Sequence, residues 1–235
     1  MSDHRHPQTG QPVGAPVDGS AGQWPGPITL IGRFGRLEKL TQLHAPSLWQ
    51  AVKDNDRLWT YMPSYSAFPD AVTFSDWVAA RATLDDPYSY AIVEPQGRVV
   101  GFITLMEIRP AMRVIEVGGI VYSPALQRTP LATEAQYLLA RYAFETLGYR
   151  RYEWKCDALN AASRRAALRF GFTFEGILRQ HQIARGRNRD TAYYSMLDSD
   201  WPIRKASFER WLSPDNFTAD GQQILSLSAL NNVTQ

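Results

Sequence analysis

The chemistry open to this chain begins in one loop. Residues Ser123-Pro124-Ala125-Leu126-Gln127-Arg128-Thr129-Pro130-Leu131-Ala132-Thr133-Glu134 lead from a strand-like segment into a long helix-like one. Thr followed by Pro suits an N-cap and a first helical residue. The hydroxyl accepts from an orphan amide, and proline lacks an N–H that would have no helical partner there. The amides around Arg128, Thr129, Leu131, Ala132 and Thr133 then face outward with the positive end of the helix dipole behind them, which makes a site for an anion. An ordinary capped helix start has the same build. Charge further along favours the anion. Positions 150 to 189 hold ten Lys or Arg and three acids (Glu153, Asp157, Glu175), so this segment carries +7 in a chain of formal net charge +2. A local positive field draws polyanions even when the whole molecule is nearly neutral. Solvated helix and hairpin faces would give the same count.

The other reactive side chains are sparse. Cys156 is the sole cysteine, which excludes an intramolecular disulfide and any multi-Cys zinc site. It could take an acyl group covalently, but a lone strand cysteine ordinarily packs in a core. His44 and His181 have no carboxylate at a telling spacing, and His4 and His6 form an H-x-H pair in a polar stretch where solvation is the plain reading. No metal site is expected.

These residues need elements to position them. Partial alternation reads as strands over 33–43, 88–93, 98–105, 114–122, 150–156, 172–184 and 190–197. Helical spacing appears over 47–55, 73–83, 129–147 and 160–170, the last two closed by Gly148 and Gly171. Pro95-Gln96-Gly97 and Pro110-Ala111-Met112 break the middle strands into an antiparallel meander, and Gly186-Arg187-Asn188 reads as a hairpin turn. Mixed but not regularly alternating strands and helices favour an α+β fold. Residues 1–27, rich in Gly, Pro, Ser and Gln, read as a flexible tail, 28–202 as the domain, and 203–235 as a C-terminal extension, with a short amphipathic helix over 203–213, that packs on the domain or a partner.

With 235 residues, 44% hydrophobic and 20% charged, the chain can bury one ordinary core. The balance of 25 basic and 23 acidic side chains speaks against a dedicated nucleic-acid or membrane-surface binder. No apolar run approaches the roughly 18 residues of a membrane span, and the first residues lack the apolar stretch of a signal peptide. A soluble cytoplasmic protein is expected.

Two motifs carry a family resemblance. Gln127-Arg128-Thr129-Pro130-Leu131-Ala132 resembles the phosphate loop Gln/Arg-x-x-Gly-x-Gly/Ala of the GNAT superfamily of acyl-CoA-dependent N-acetyltransferases, with Pro130 in place of a glycine. Asn160-Ala161-Ala162-Ser163-Arg164-Arg165-Ala166-Ala167-Leu168-Arg169-Phe170-Gly171-Phe172 resembles that family's Asn at the end of the fifth strand and the short helix closed by Gly-Phe. With the order of elements, the resemblance covers about 33–202 and is nearest the branch of ribosomal-protein (RimJ/RimL-type) N-terminal acetyltransferases.

The resemblance implies a mixed central sheet with flanking helices, whose fourth and fifth strands, here 114–122 and 150–156, splay to admit acetyl-CoA as co-substrate. It implies that the pantetheine arm pairs near Ile120, Val121 and Tyr122. The pyrophosphate would lie on Gln127, Arg128, Thr129, Leu131, Ala132 and Thr133. Asn160 would bond the pantetheine or the acceptor, and Arg128, Arg164, Arg165 and Arg169 would meet phosphates. The reaction it implies is direct attack of an amine on the thioester, which needs a neutral amine, an oxyanion donor and a proton for the leaving thiolate. Many members use a Tyr seven residues after the Asn as acid. That position is Ala167 here, so Ser163 is the candidate acid, as in the ribosomal-protein branch, unless it only satisfies local backbone. Glu116 is the candidate base, a backbone amide near Ile120 or Val121 the oxyanion donor, and Trp59, Tyr61 and Met62 the candidate acceptor lining; a solvent-facing Glu and a packed aromatic turn are the plain alternatives. The acceptor is then a primary amine, on a protein or peptide N-terminus or a small compound. A non-catalytic acyl-CoA-sensing module and an interaction protein using the +7 surface for nucleic acid are the competing classes.

Overall fold

Alternating apolar residues in the middle of the chain build one eight-stranded sheet. The structure is a computed structural model that describes residues 4–232; the ends of the two terminal segments, 1–3 and 233–235, lie outside the described residues. The strands are β1 (Leu30–Ile31), β2 (Arg36–Lys39), β3 (Tyr88–Val93), β4 (Val99–Arg109), β5 (Val114–Tyr122), β6 (Arg151–Asp157), β7 (Thr173–Ala184) and β8 (Arg187–Leu197). Their order across the sheet is β1-β2-β3-β4-β5-β6-β8-β7. Every neighbouring pair is antiparallel except β5 with β6. The mixed sheet and the β3-β4-β5 meander follow the expectation from sequence.

Strand alternation sends side chains to two cores. Ala91, Val93, Phe102 and Val121 pack under α1 (Ala45–Val52) and α2 (Ala71–Ala82). Tyr90, Ile92, Ile115, Val117, Tyr152 and Trp154 pack on the other face, under α3 (Pro130–Arg141), α4 (Ala161–Arg169), α5 (Trp201–Leu212) and α6 (Leu227–Asn232). Each fully buried Leu or Phe in these layers contributes about 2 kcal/mol of transfer free energy.

Several boundaries differ from the sequence reading. The strand expected over 33–43 shrinks to Arg36–Lys39, because the Glu134 carboxylate accepts from the amides of Arg33 (2.6 Å) and Phe34 (2.8 Å) and holds a turn there. Helix α1 begins at Ala45 with Pro46 in its first turn, and α2 begins at Ala71 behind Asp70, whose Oδ1 accepts from Thr73 N at 2.8 Å. The hairpin turn is Arg185-Gly186, with φ of 49° and 75°, as a two-residue turn of matching twist requires. The helix expected to reach Leu147 ends at Arg141 and continues as a π turn, Tyr142–Thr146. Helix α6 had no clear periodic signal.

The terminal segments are built onto the body. Within the stretch read as a tail, Gly22 N donates to Pro110 O, Gln23 N to Leu147 O, and Gly26 N to the Tyr142 hydroxyl. Residues 4–19 are exposed. Helix α5 starts at Trp201, and it and α6 bury Phe208, Trp211, Leu227 and Leu230 in the second core. No helix among the described residues is long and apolar enough to cross a membrane.

One irregularity positions the site. The parallel ladder of β5 and β6 runs from Val114↔Arg151 to Val117↔Trp154 and stops. Beyond it, β5 stays paired with β4 and β6 with β8, so the two strands part. At the same point β5 carries a bulge: Thr104 faces Gly118, but Phe102 faces Val121. Gly119 takes φ +52° there, and a Cβ on it would lie 2.7 Å from Arg81 Nη2, so glycine suits both the backbone and the space.

Candidate active site

The gap between β5 and β6 opens into a cleft of about 1550 Å³ that passes from one face of the sheet to the other. Register assigns its two halves. Cross-strand partners share a face, so Thr104, Met106, Glu116, Glu153, Lys155, Asp157, Thr191 and Tyr193 lie on the α1/α2 side. Trp154 and Cys156 lie on the α3/α4 side.

On the α3/α4 side the loop into α3 has the expected cap. Thr129 Oγ1 accepts from Ala132 N at 3.3 Å and donates to Leu126 O at 2.7 Å, and Pro130 is the first helical residue. Arg128 sits at φ +64°. Among the described residues the amides of Arg128 and Leu131 have no hydrogen-bond partner. Arg128, Thr129, Ala132, Thr133, Arg165 and Arg169 line the cleft together. Gln127 also lines it, but its Nε2 donates to Tyr122 O at 2.9 Å and so braces the loop. The Tyr122 hydroxyl donates to Ala132 O and accepts from Gln136 Nε2, which leaves Gln136 Oε1 buried with no partner.

Val121 and Leu131 offer backbone alone to the cleft, and Arg164 faces elsewhere. Val121 and Leu131 are buried in the two cores, because strand and helix periodicity turn their side chains away. Arg164 lies off the cleft, donating to the Tyr194 hydroxyl and to Ala158 O. Arg169 takes its place, donating to Thr133 Oγ1 at 3.1 Å and stacking over Trp211 at 5.0 Å.

The start of α4 brings the second motif together. Asn160 Oδ1 accepts from Ser163 N at 3.1 Å, so the Asn caps the helix that carries the Ser. Trp154 Nε1 donates to Ser163 Oγ at 3.0 Å. An indole N–H can only donate, so the Ser163 proton must point to another acceptor. Asn160, Ser163, Trp154 and Cys156 all line the cleft, while Ala167 is buried. Burial pushes the Cys156 thiol up from its ordinary pKa, with Ser163 and Arg164 opposing. A protonated, buried thiol is a poor nucleophile. Cys156→Ala is therefore expected to retain turnover within about threefold, and Cys156 in the native protein to resist alkylation at neutral pH; a hundredfold loss in the variant would restore a covalent role.

On the α1/α2 side, Glu116 is 5% exposed and lines the cleft. Burial raises its carboxyl from 4.5 to about 7, against the opposing pull of Lys155, whose Nζ is 2.9 Å from Glu116 Oε2. Lys155 also reaches Glu153 Oε2 at 3.2 Å, and its own pKa is raised by these two acids despite desolvation. A carboxyl that titrates near neutrality can both take and hold a proton at working pH. Glu116 is thus not the solvent-facing residue that was the plain alternative.

The acceptor-side aromatics divide. Tyr61 and Met62 line the cleft, and the Tyr61 hydroxyl donates to Leu159 O at 3.3 Å. Trp59 does not: it is buried among Tyr65, Phe68, Phe74 and Trp77. Arg185 at the hairpin tip donates to Thr60 O at 2.6 Å, tying this turn to β7 and β8.

The sequence reading missed Trp154, Lys155, Arg81, Arg189 and Tyr193. Strict alternation along β6 would have grouped Lys155 with Glu153, and little else announced the others. His44 also proves engaged, with Nε2 3.0 Å from Glu38 Oε1, outside the cleft. His181 lines it, its Nδ1 3.0 Å from Thr191 Oγ1. The basic segment is not one free surface, since Arg151 pairs with Glu153 and Glu175, and Lys155 with Glu116. Among the described residues no group of His, Cys, Asp and Glu is arranged to hold a metal ion.

Comparison with known proteins follows this geometry. A model of the acetyltransferase (GNAT) domain family matches residues 36–173. A crystal structure named as a GCN5-related N-acetyltransferase from Brucella melitensis is 43% identical, covers 91% of this chain and 98% of its own, and superposes with a TM-score of 0.87. One from Chromobacterium violaceum, named as a probable acetyltransferase of the GNAT family, is 38% identical over 82% of this chain and 98% of its own, with a TM-score of 0.76. A Bacillus subtilis protein named "Putative ribosomal N-acetyltransferase YdaF" is 30% identical over 109 residues, 46% of this chain and 59% of that one. The chain spans a little over half the length of the curated relatives it matches.

Proposed function

The chain belongs to the acetyltransferase (GNAT) domain family, and on that premise we propose that it transfers an acetyl group from acetyl-CoA to a primary amine. The amine is a protein or peptide N-terminus or belongs to a small compound. The observation that carries this reading is the single opening between β5 and β6, with Glu116 on one side of the sheet and Ser163 on the other.

The residues present fit acetyl-CoA. The unpartnered amides of Arg128 and Leu131, the cations Arg128, Arg165 and Arg169, and the orphaned Gln136 Oε1 are donors and an acceptor in want of a ligand. Backbone from Ile120 to Tyr122, Thr129, Ala132, Thr133 and Asn160 would complete the binding surface. Bound there, acetyl-CoA supplies its acyl group as a thioester. Glu116, ionised above about pH 7, takes the proton of the incoming ammonium. Ser163, held by Trp154 beside the Cys156 thiol, donates its proton to the departing sulfur and recovers one from the protonated nitrogen of the new amide. An amide at the Ile120–Val121 bulge is the proposed donor to the acyl oxygen. The cytoplasm, where acetyl-CoA is available, is the compartment that goes with this reading. A ribosomal protein as acceptor is supported by the name of the Bacillus subtilis relative. Nothing in the cleft favours a sensing module without turnover.

Calorimetric titration with acetyl-CoA at two salt concentrations, followed by thiol release against a panel of amines and N-terminal peptides, tests the proposal. Micromolar binding that weakens with salt, plus thiol release with some amine, is expected. Binding with no release on any amine would leave a sensing module, and absence of binding would overturn the reading at its first step.

A further inference from the structure

The α1/α2 half of the cleft holds two arginines that no acid neutralises. Arg81 on α2 donates from Nε to Ser89 Oγ (2.9 Å) and from Nη2 to Thr104 Oγ1 (3.0 Å), both neutral hydroxyls. Among the described residues its Nη1 has no partner, and no carboxylate lies within 4 Å of the guanidinium. It stands over Trp77 and Phe102, at 5.3 and 5.4 Å. Arg189 on β8 is 8% exposed. Its Nη1 donates to Gln182 Oε1, its Nε has no partner, and again no acid pairs with it among the described residues.

A guanidinium out of water without a counter-charge is costly, and proteins ordinarily supply the anion. They do so elsewhere in this chain: Arg109, Arg151 and Lys155 surround Glu153. Arg81 and Arg189 have no such anion among the described residues, and both line the α1/α2 half of the cleft. Lys155 offers no competing free charge there, being engaged by Glu116 and Glu153. The acids on this half beside that pair are Glu107 and Asp157.

Position sharpens the chemistry. A Cβ on Gly119 would lie 2.7 Å from Arg81 Nη2, and one on Gly118 would lie 3.1 Å from Glu116 Oε1. The guanidinium and the proposed base therefore flank two consecutive glycines. An acceptor whose amine meets Glu116 has its next few atoms beside Arg81.

Resting on the transferase reading above, we propose that the acceptor carries a carboxylate within a few bonds of its amine, and that Arg81 binds that carboxylate, Arg189 lying further along the cleft wall on β8. A planar guanidinium with free N–H groups suits a carboxylate by paired hydrogen bonds. The same chemistry has two sources: a free amino acid, or a peptide whose first residue is acidic.

The test uses the full chain and two matched pairs in the thiol-release assay. One pair is alanine and alaninamide. The other is the peptide amide Asp-Ala-Ala-Lys and its Asn-Ala-Ala-Lys counterpart. The carboxylated member of one pair is expected to have a kcat/KM about ten- to a hundredfold higher, and which pair discriminates names the source. In Arg81→Met that ratio should fall to within about threefold, a loss of selectivity that a merely structural arginine would not produce. Equal use of both members of each pair by the unaltered protein, or selectivity unchanged in Arg81→Met, overturns the proposal. If no amine turns over, the transferase reading fails separately. The carboxylate is then read by calorimetry on the protein saturated with CoA, where N-acetylalanine should bind and N-acetylalaninamide should not; equal affinities or no binding overturn it.

Discussion

Ser163→Ala is expected to lower turnover by about ten- to a thousandfold while acetyl-CoA affinity stays within about twofold. The split between rate and affinity follows from where the side chain sits. Its amide, not its hydroxyl, is what Asn160 binds, so α4 keeps its cap in the variant. Its hydroxyl receives the Trp154 indole proton and has its own proton left to give. Removing the oxygen leaves one indole N–H without its partner, a modest cost of about 1 kcal/mol. A rate loss far above that cost would therefore report lost proton transfer and not lost structure. Thiol-release kinetics and calorimetry on the same preparation measure both quantities. Turnover unchanged in the variant would remove Ser163 from the mechanism, and a parallel loss of affinity would recast it as a binding residue.

Glu116→Gln is expected to lose about a hundred- to ten-thousandfold in kcat/KM at neutral pH and to abolish the acid limb of the pH profile. In the unaltered protein kcat/KM should rise with pH and level off near pH 7, because burial lifts the carboxyl from 4.5 to about 7 and only its ionised form accepts the proton. The same shift has a stability consequence of definite sign. The folded state holds the Glu116 proton more tightly than the unfolded chain does. Below about pH 4.5 both states are protonated and nothing is lost. As pH rises from there to about 7, the folded state loses on the order of 3 kcal/mol at most. Urea unfolding of wild type and variant across this window should show that decline in the former only. A variant whose rate keeps the acid limb would assign the proton to another group or to water.

The sequence made the α3/α4 half of the cleft legible and the α1/α2 half much less so. A loop with Thr129-Pro130, and Asn160 followed by Ser163 and Gly171-Phe172, are local signals, readable because backbone capping depends on neighbours in sequence. Lys155 on β6 and Arg81 on α2 reach Glu116 and Gly119 only because of sheet order, and Arg189 on β8 joins the same cleft wall by the same route. No spacing rule spans such distances. Arg164 and Trp59 lie off the cleft although they neighbour residues that line it, because helix and turn geometry sends an adjacent side chain another way. Boundaries failed where a tertiary contact overrode local preference, as when Glu134 gathers the amides of Arg33 and Phe34 and cuts a strand short.

The short ladder of β5 and β6 sets stability and catalysis against each other. Four residue pairs join the two parts of the sheet, and the next rung is the one that the active-site opening removes. A β5 without its bulge could continue the ladder past Val117↔Trp154, and the added rungs would seal the passage between Glu116 and Ser163. Selection for robustness alone would therefore tend to close the cleft on which the proposed transfer depends, from the middle of the sheet outward.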